Sequence, residues 1–491
     1  MRKQLAKGAA WISAARMSVN LLGFISTLVL ARLLMPADFG LVALCTTILA
    51  ILSSTTNLSL SSALVQQKSL TDQYFDTAWT LNFARGLAIA LVVAALAYPI
   101  SLIYSDKRLV SIMLVLAASM IIDGLGNPKM VLFVREMIFW QQFLMQFAQK
   151  FSVFIVSVSI AIIYKTYWSL VIGTIAGQIV SLIISYVVMP YRPRVSFEKA
   201  RELFSFSGWI TLGQILNTIN WRFDQLAIGG FLGKAALGHY TVGDNLAQMG
   251  TREATAPLTG ALFPAFAKLS GDPPRLASAY QSVQALVTAI ALPIGFGVAL
   301  VADPLIRLLM GDKWAASILV VQVLAAVFAL TTLGGLAQPL AMATGATRLL
   351  FVRDLQGFAL RLPIIIGAMY LWGLPGIIYA RAATGTIGIT FGMNVVKKVT
   401  GLQVIKQLSV NVRSLCSVAL MSAAVWGGSG LHYGVGQIGL IFDVAVRVAI
   451  GVIAYPLAHL SLWLLAGRPS GPETEILKAF SGLIGRARRR S

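Results

Sequence analysis

Charge is what this chain has little of. Asp, Glu, Lys and Arg together make 12% of its 491 residues, against about 25% in soluble domains. Its polar stretches, about 191–205, 268–280, 397–413 and the C-terminal tail, are connector-sized and leave no room for a soluble domain. The two cysteines, Cys45 and Cys416, lie in apolar runs and read as small buried hydrophobes, not a disulfide or a metal site. The three histidines, His239, His432 and His459, are too scattered to form a ligand cluster. No Gly-rich loop followed by Lys-Ser/Thr is present, so nothing points to nucleotide hydrolysis. No cofactor is expected.

What is present is apolar. Hydrophobic residues make 57% of the chain and mean hydropathy is +0.79. Runs of roughly twenty residues recur, each long enough to span a bilayer core of about 30 Å. The reading is an all-α polytopic membrane protein of about 14 transmembrane helices. The spans fall at approximately 10–33, 41–65, 78–104, 109–127, 142–164, 168–190, 207–231, 237–266, 281–309, 316–345, 350–372, 374–396, 414–432 and 440–466. Segment 237–266 is the one most open to a different split. The basic start, Met1 to Lys7, runs into a stretch too long for a cleaved signal, so it opens the first span.

Lys and Arg crowd the even-numbered loops and both tails, including the cluster Arg486–Arg490. That bias puts both termini in the cytoplasm. It also accounts for much of the net charge of +21. Anionic lipid headgroups are the partner this charge implies, not nucleic acid.

The chain repeats itself. Trp11-Ile12 and Leu34 with Gly40 recur 198 positions later as Trp209-Ile210 and Leu232 with Gly238. Six spans per copy is an even number, so both copies enter from one side and form a parallel internal repeat of two six-helix lobes. The expected organisation is an N-terminal lobe at 1–190 and a linker with a Pro-containing turn and a basic interfacial helix at 191–206. A C-terminal lobe at 207–400, two additional helices at 401–466 and a basic tail at 467–491 follow. Ile476, Leu477, Phe480, Leu483 and Ile484 sit between cations in that tail, suiting an amphipathic surface helix.

Seven segments occur in an order and spacing that resemble one family: KGAAWISAAR, ARLLMPADFGLVAL, SALVQQKSLT, VLFVREMIFW, NTINWRFDQLAIGGFLGKAALGHY, ALFPAFAKL and LLMGDKWAAS. Together they resemble the polysaccharide transporter branch of the MATE-like (multidrug/oligosaccharidyl-lipid/polysaccharide, MOP) exporter superfamily, with the Wzx-like flippases nearest. The resemblance covers roughly residues 5–400. It implies two lobes opening alternately to each side, and an undecaprenyl-pyrophosphate-linked oligosaccharide carried from the cytoplasmic to the periplasmic leaflet of the inner membrane. It further implies coupling to an H+ or Na+ gradient, and polysaccharide polymerase or export machinery as partners. The chain departs from the related lipid II flippases in its first helix. Their Arg-Asp pair is replaced in LLGFISTLVLARLL by Ile25 and Ser26.

Such a ligand needs a cation for its pyrophosphate, polar groups for its glycan and an apolar gap for its tail. Arg252, read as the midpoint of the eighth span, lies on a stripe of Thr241, Asp244, Gln248, Thr255 and Thr259 that should face a wet cavity. Its alternative is a structural pair with Glu253 or Asp244. Arg85 and Arg16 either catch the pyrophosphate at the inward mouth or snorkel to headgroups. Asn217, Asn220, Asn57, Asn82 and Asn20 offer hydrogen bonds to sugars. Asp224, with Asp244 and Glu253, is a candidate for ion coupling, or else neutralises Arg222 or Arg252. Arg381 is a minor cavity candidate, and Asp443 with Arg447 reads as a packing ion pair. The alternative function is a MATE-like exporter of organic cations, which needs intramembrane carboxylates without cationic partners. Here cations outnumber them. An enzyme is not expected, because the outward loops are short.

Overall fold

A computed structural model of the chain describes residues 2–55, 64, 71–136, 138, 140–200, 202, 208–428, 436–469, 471, 473 and 474. Of residues 2–16, 55, 134 and 208–214 it describes the backbone alone. Among the described residues there is helix and no strand. Apolar helices satisfy every backbone hydrogen bond within themselves, which a lipid-embedded chain requires.

Eight of these helices are long and apolar enough to cross a membrane. The chain divides into two units, Met1–Thr241 and Val242–Ser491. In the first, α1 (Arg2–Leu33), α2 (Pro36–Thr55), α3 (Asp72–Ile103) and α4 (Arg108–Gly124) come first. The short α5 (Val131–Arg135), then α6 (Trp140–Tyr164), α7 (Trp168–Val188) and α8 (Gly208–Phe231) follow. Helix α9 (Gly233–Thr259) contains the division between units. Within the first unit α3 packs on α4, α6 on α7, α1 on α6, and α8 on α2.

Two repeat glycines meet in this unit. A Cβ on Gly40 would overlap the Lys234 carbonyl, and a Cβ on Gly238 would overlap the Pro36 carbonyl. Backbone therefore lies on backbone where α2 and α9 begin, and only glycine fits.

Of the expected turn and helix at 191–206, the described residues show a turn at 198–199 and helical backbone at 200 and 202. Residues 191–197 form neither helix nor strand, and several of their polar groups bond to the start of α3. The Tyr191 hydroxyl donates to Asp76 at 2.5 Å, and the Ser196 N–H donates to the Thr80 hydroxyl at 3.0 Å. Most of 201–207 lies outside the described residues, as do Asn57 and the tail beyond Thr474.

In the second unit α10 (Leu262–Leu269), α11 (Pro273–Met310), α12 (Ala316–Gly335) and α13 (Ala337–Ala343) lead into α14 (Thr347–Thr400). Then come α15 (Val404–Ser409), α16 (Val412–Gly428) and α17 (Gly436–Leu465). Segment 237–266 is two helices, not one. Pro257 withholds a backbone donor from the last turn of α9, the helix ends at Thr259, and α10 starts at Leu262. Helix α14 reverses at Gly373, whose φ of 60° and ψ of −137° lie in a region that favours glycine. After the reversal a Cβ on Gly376 would overlap the Ala368 carbonyl. The break at Gly373 falls between the expected spans 350–372 and 374–396. Cys45 is buried, but Cys416 is exposed on α16, contrary to its reading as a buried hydrophobe. An apolar thiol on a membrane helix is as much at home in lipid as in a core.

Candidate functional site

Helix α8 places the first group. Asn217 and Asn220 are half-buried, and one turn on Asp224 is fully buried. These three residues, at helical spacing, thus run into protein. Tyr240 of α9 donates its hydroxyl to Asp224 at 2.7 Å. Beside it, Gln225 Oε1 accepts from the Thr47 hydroxyl of α2 at 2.5 Å and from Arg222 Nη1 at 3.0 Å. Arg222 and Asp224 therefore engage different partners, as two residues two apart on a helix should.

Near the same end of the unit, Asp106 sits in the turn between α3 and α4. Arg108 holds it at 2.9 Å, and Lys234, at the start of α9, pairs with it as well. Burial alone pushes this carboxyl up. The hydrogen bonds from the Arg108 side chain, Lys234 and the Arg108 backbone N–H outweigh burial and hold it well below the usual carboxylate range.

Helix α9 supplies the second group. Arg252 lies seven residues before the helix ends at Thr259, not at a midpoint, because α10 is a separate helix. Its side chain is 65% exposed and reaches Glu253 at 3.3 Å. That contact is worth about 0–1 kcal/mol at such exposure, so the guanidinium can exchange it for an anion. Asp244 and Thr255 are buried instead, so the expected stripe does not face one wet surface. Gln248 spans the two environments, donating to Asp244 at 2.7 Å.

Asp244 pairs with Arg381 of α14 at 3.1 Å, both nearly inaccessible. The contact is a close Coulombic one, not aligned as a hydrogen bond. Arg381 also lies 5.5 Å from the centre of the Phe328 ring on α12. The reading of Arg381 as a cavity residue is thereby corrected: it is a buried partner. The pair could not be read from sequence, since its members are remote and no local spacing joins them.

Arg85 is half-buried on α3, with Asn82 one turn before it. The Arg16 side chain lies outside the described residues, as Asn57 does altogether. All three carboxylates considered for coupling thus have protein partners: Tyr240 for Asp224, Arg381 for Asp244 and Arg252 for Glu253. Among the described residues no group of three or more His, Cys, Asp or Glu could hold a metal ion.

An apolar gap exists too. A cavity of about 420 Å³ lies between α11, α16 and α17, lined by Pro293, Gly297, Met421, Gly451 and Pro456, with Arg447 among its lining. Arg447 is held by Asp443 at 2.8 Å and donates to the Leu300 carbonyl at 3.0 Å, the packing role its spacing suggests. The two prolines each withhold a backbone donor within α11 and α17, and the glycines add no side chain to the space between them.

A family model described as "Polysaccharide biosynthesis protein" matches residues 29–319. The lipopolysaccharide biosynthesis protein WzxC of Escherichia coli (strain K12) is 23% identical over 405 residues, 81% of this chain and 79% of that protein. The teichuronic acid biosynthesis protein TuaB of Bacillus subtilis (strain 168) is 22% identical, covering 78% of each. Among solved structures, the lipid II flippase MurJ in an inward closed conformation superposes with a TM-score of 0.77 at 12% identity, covering 94% of this chain and 100% of that one. An inward-facing MATE family multidrug transporter gives 0.62 at 14% identity, covering 80% and 99%.

Proposed function

The chain belongs to the polysaccharide biosynthesis protein family, and on that premise we propose that it is a flippase for lipid-linked oligosaccharides. It moves undecaprenyl-pyrophosphate-linked units from the cytoplasmic to the periplasmic leaflet of the inner membrane for O-antigen, capsule or exopolysaccharide. Six-helix lobes at 1–190 and 207–400 rock against each other, and both termini are cytoplasmic. It is a carrier and catalyses no covalent step.

The observation that carries this reading is Arg252, an exposed guanidinium on a helix of a membrane bundle. A cation in a membrane bundle is costly unless a wet cavity or an anionic ligand receives it. Pyrophosphate is such a ligand. Arg85 and Arg16 assist at the inward mouth, and Gln248, Asn217, Asn220, Asn57 and Asn82 serve the glycan. The apolar cavity beside α16 and α17 receives the polyprenyl tail. Asp224, Asp244 or Glu253 takes the coupling H+ or Na+ by exchanging its present partner. Anionic lipids hold the basic tail, and a polymerase or export complex receives the product. Export of organic cations is the weaker reading, because the carboxylates it needs are engaged by Tyr240, Arg381 and Arg252.

The test is reconstitution in liposomes with an undecaprenyl-pyrophosphate oligosaccharide, wild type against Arg252→Ala. Translocation that collapses in the variant is expected. Translocation unchanged by the variant moves the anion site to Arg85 or Arg16, and efflux of cationic dyes without lipid translocation overturns the reading.

A further inference from the structure

Inside the first unit, among α3, α4, α6 and α7, lies a second cavity of about 340 Å³ whose lining is half polar. Asn82, Asp123, Gln149, Gln178 and Ser181 face it. Among the described residues, none of these five side chains makes a hydrogen bond or ion pair. Their neighbours in the wall are satisfied. Asn127 donates to the Ser185 and Met189 carbonyls and accepts from the Lys129 N–H, and Ser185 bonds back to Leu182. The unpaired set is therefore confined to the cavity.

Position makes this costly. Gln178 is the central residue of the 21-residue helix Trp168–Val188, so its amide lies near the middle of the bilayer. Gln178 Oε1 is wholly inaccessible and has no partner. Turning the amide over would only exchange an orphaned acceptor for an orphaned donor. Polar groups at this depth are kept only where something meets them. Asp123, by contrast, is exposed, so the cavity runs from an accessible carboxylate to a closed amide floor.

We infer that this cavity is a carbohydrate subsite that takes a neutral sugar residue of the translocated glycan. Three primary amides, a hydroxyl and a carboxylate offer both donors and acceptors, which a polyol needs and a bare cation does not. No Lys or Arg lines it, so it does not take the pyrophosphate, and its polar floor rejects the polyprenyl chain. Its volume lies at the lower end of the roughly 300–1,000 Å³ of small-molecule pockets and equals about eleven waters at about 30 Å³ each. That is far more room than one ion requires. Gln149 comes from α6, whose opening reads WQQFLMQFAQK, an amide-rich start for a membrane helix, and Gln178 comes from α7.

The assignment rests on the flippase reading for its source of sugar, but its test does not need transport. The full-length protein in lipid nanodiscs is probed with glucose, galactose and N-acetylglucosamine by saturation-transfer-difference NMR, and with sodium chloride alone. Binding of at least one sugar is expected, weakened about tenfold or more by Gln178→Leu and by Asn82→Ala and unchanged by Gly357→Ala, a position with open space around it. Thermal melts show that each variant is folded, and Asn82→Ala carries the test if Gln178→Leu is not. Sugar binding that ignores both variants, sodium binding in place of sugar, or no sugar binding at about 100 mM overturns it. A wild type that binds sugar yet fails to translocate sinks the flippase reading and leaves the subsite. Translocation with no sugar binding does the reverse.

Discussion

Removing Arg381 tests whether the second unit depends on its buried charges. Asp244 and Arg381 are 3.1 Å apart with 8% and 5% of their side chains exposed. At that distance two unit charges attract by about 5 kcal/mol for an effective dielectric constant of about 20. Desolvating both consumes much of this, so the intact pair adds little net stability. Its rupture is another matter. Arg381→Met leaves the Asp244 carboxylate buried with the Gln248 amide beside it, and such uncompensated charges cost about 3–5 kcal/mol. For a unit of this size each kcal/mol is worth roughly 2–4 °C, so the melting temperature should fall by about 6–20 °C. The double variant Asp244→Leu with Arg381→Met should recover to within about 1 kcal/mol of wild type, since no charge is then stranded. The assay is thermal unfolding of purified protein in detergent micelles, run as a double-mutant cycle. A single variant that melts within about 3 °C of wild type, or a double variant as unstable as the sum of the singles, refutes the buried-pair argument.

Asp106→Asn removes charge-assisted bonds to Arg108 and Lys234 and should cost about 1.5–3 kcal/mol in a melt at neutral pH. Because the folded carboxyl lies below its unfolded value near 3.9, this stability is fully present above that value and is lost only as pH falls through the lower folded one. The wild-type contribution should therefore be flat from about pH 8 to pH 5, and a decline over that window attributable to Asp106 would contradict the assignment. Gly238→Ala should destabilise by about 1–3 kcal/mol or more through overlap with the Pro36 carbonyl, while Gly357→Ala, with open space around it, should be neutral or stabilising. Equal melting temperatures for the two would show that the glycine contact is not tight. Gly451→Leu should fill part of the apolar cavity and slow translocation of a polyprenyl-linked oligosaccharide while leaving the melting temperature near wild type. Unchanged rates would remove that cavity from the tail's path.

The architecture was legible because a bilayer enforces it: apolar runs of span length must be helices, and their succession is written in composition. The reversal at Gly373 falls between two expected spans, since a glycine after Trp372 and two residues before Pro375 marks the turn. The end of α9 was less legible, because Ala256, Leu258, Ala261 and Leu262 carry the apolar run straight through the break that Pro257 makes. Sites were harder still. Helical spacing placed Asp244 and Arg252 on a polar stripe and residue type singled out Asp224, yet neither says what lies opposite. Tyr240 and Arg381 decide the fate of two of them, and both approach from other helices. The glutamines of α6 carried a signal in composition alone; that Gln149 meets Asn82 and Gln178 around one cavity is a product of packing.

The repeat shows where sequence and packing coincide. Gly40 meets Lys234, and Gly238 meets Pro36. Positions 36 and 40 of the first copy become 234 and 238 under the 198-residue shift. The contact is thus its own image under that shift. Such a contact brings one backbone against an identical backbone, so any side chain added to one copy would be opposed by the same addition in the other. Both positions must then remain glycine together. The match between Leu34 with Gly40 and Leu232 with Gly238 has a steric cause: at each glycine a Cβ would strike the backbone of the other segment.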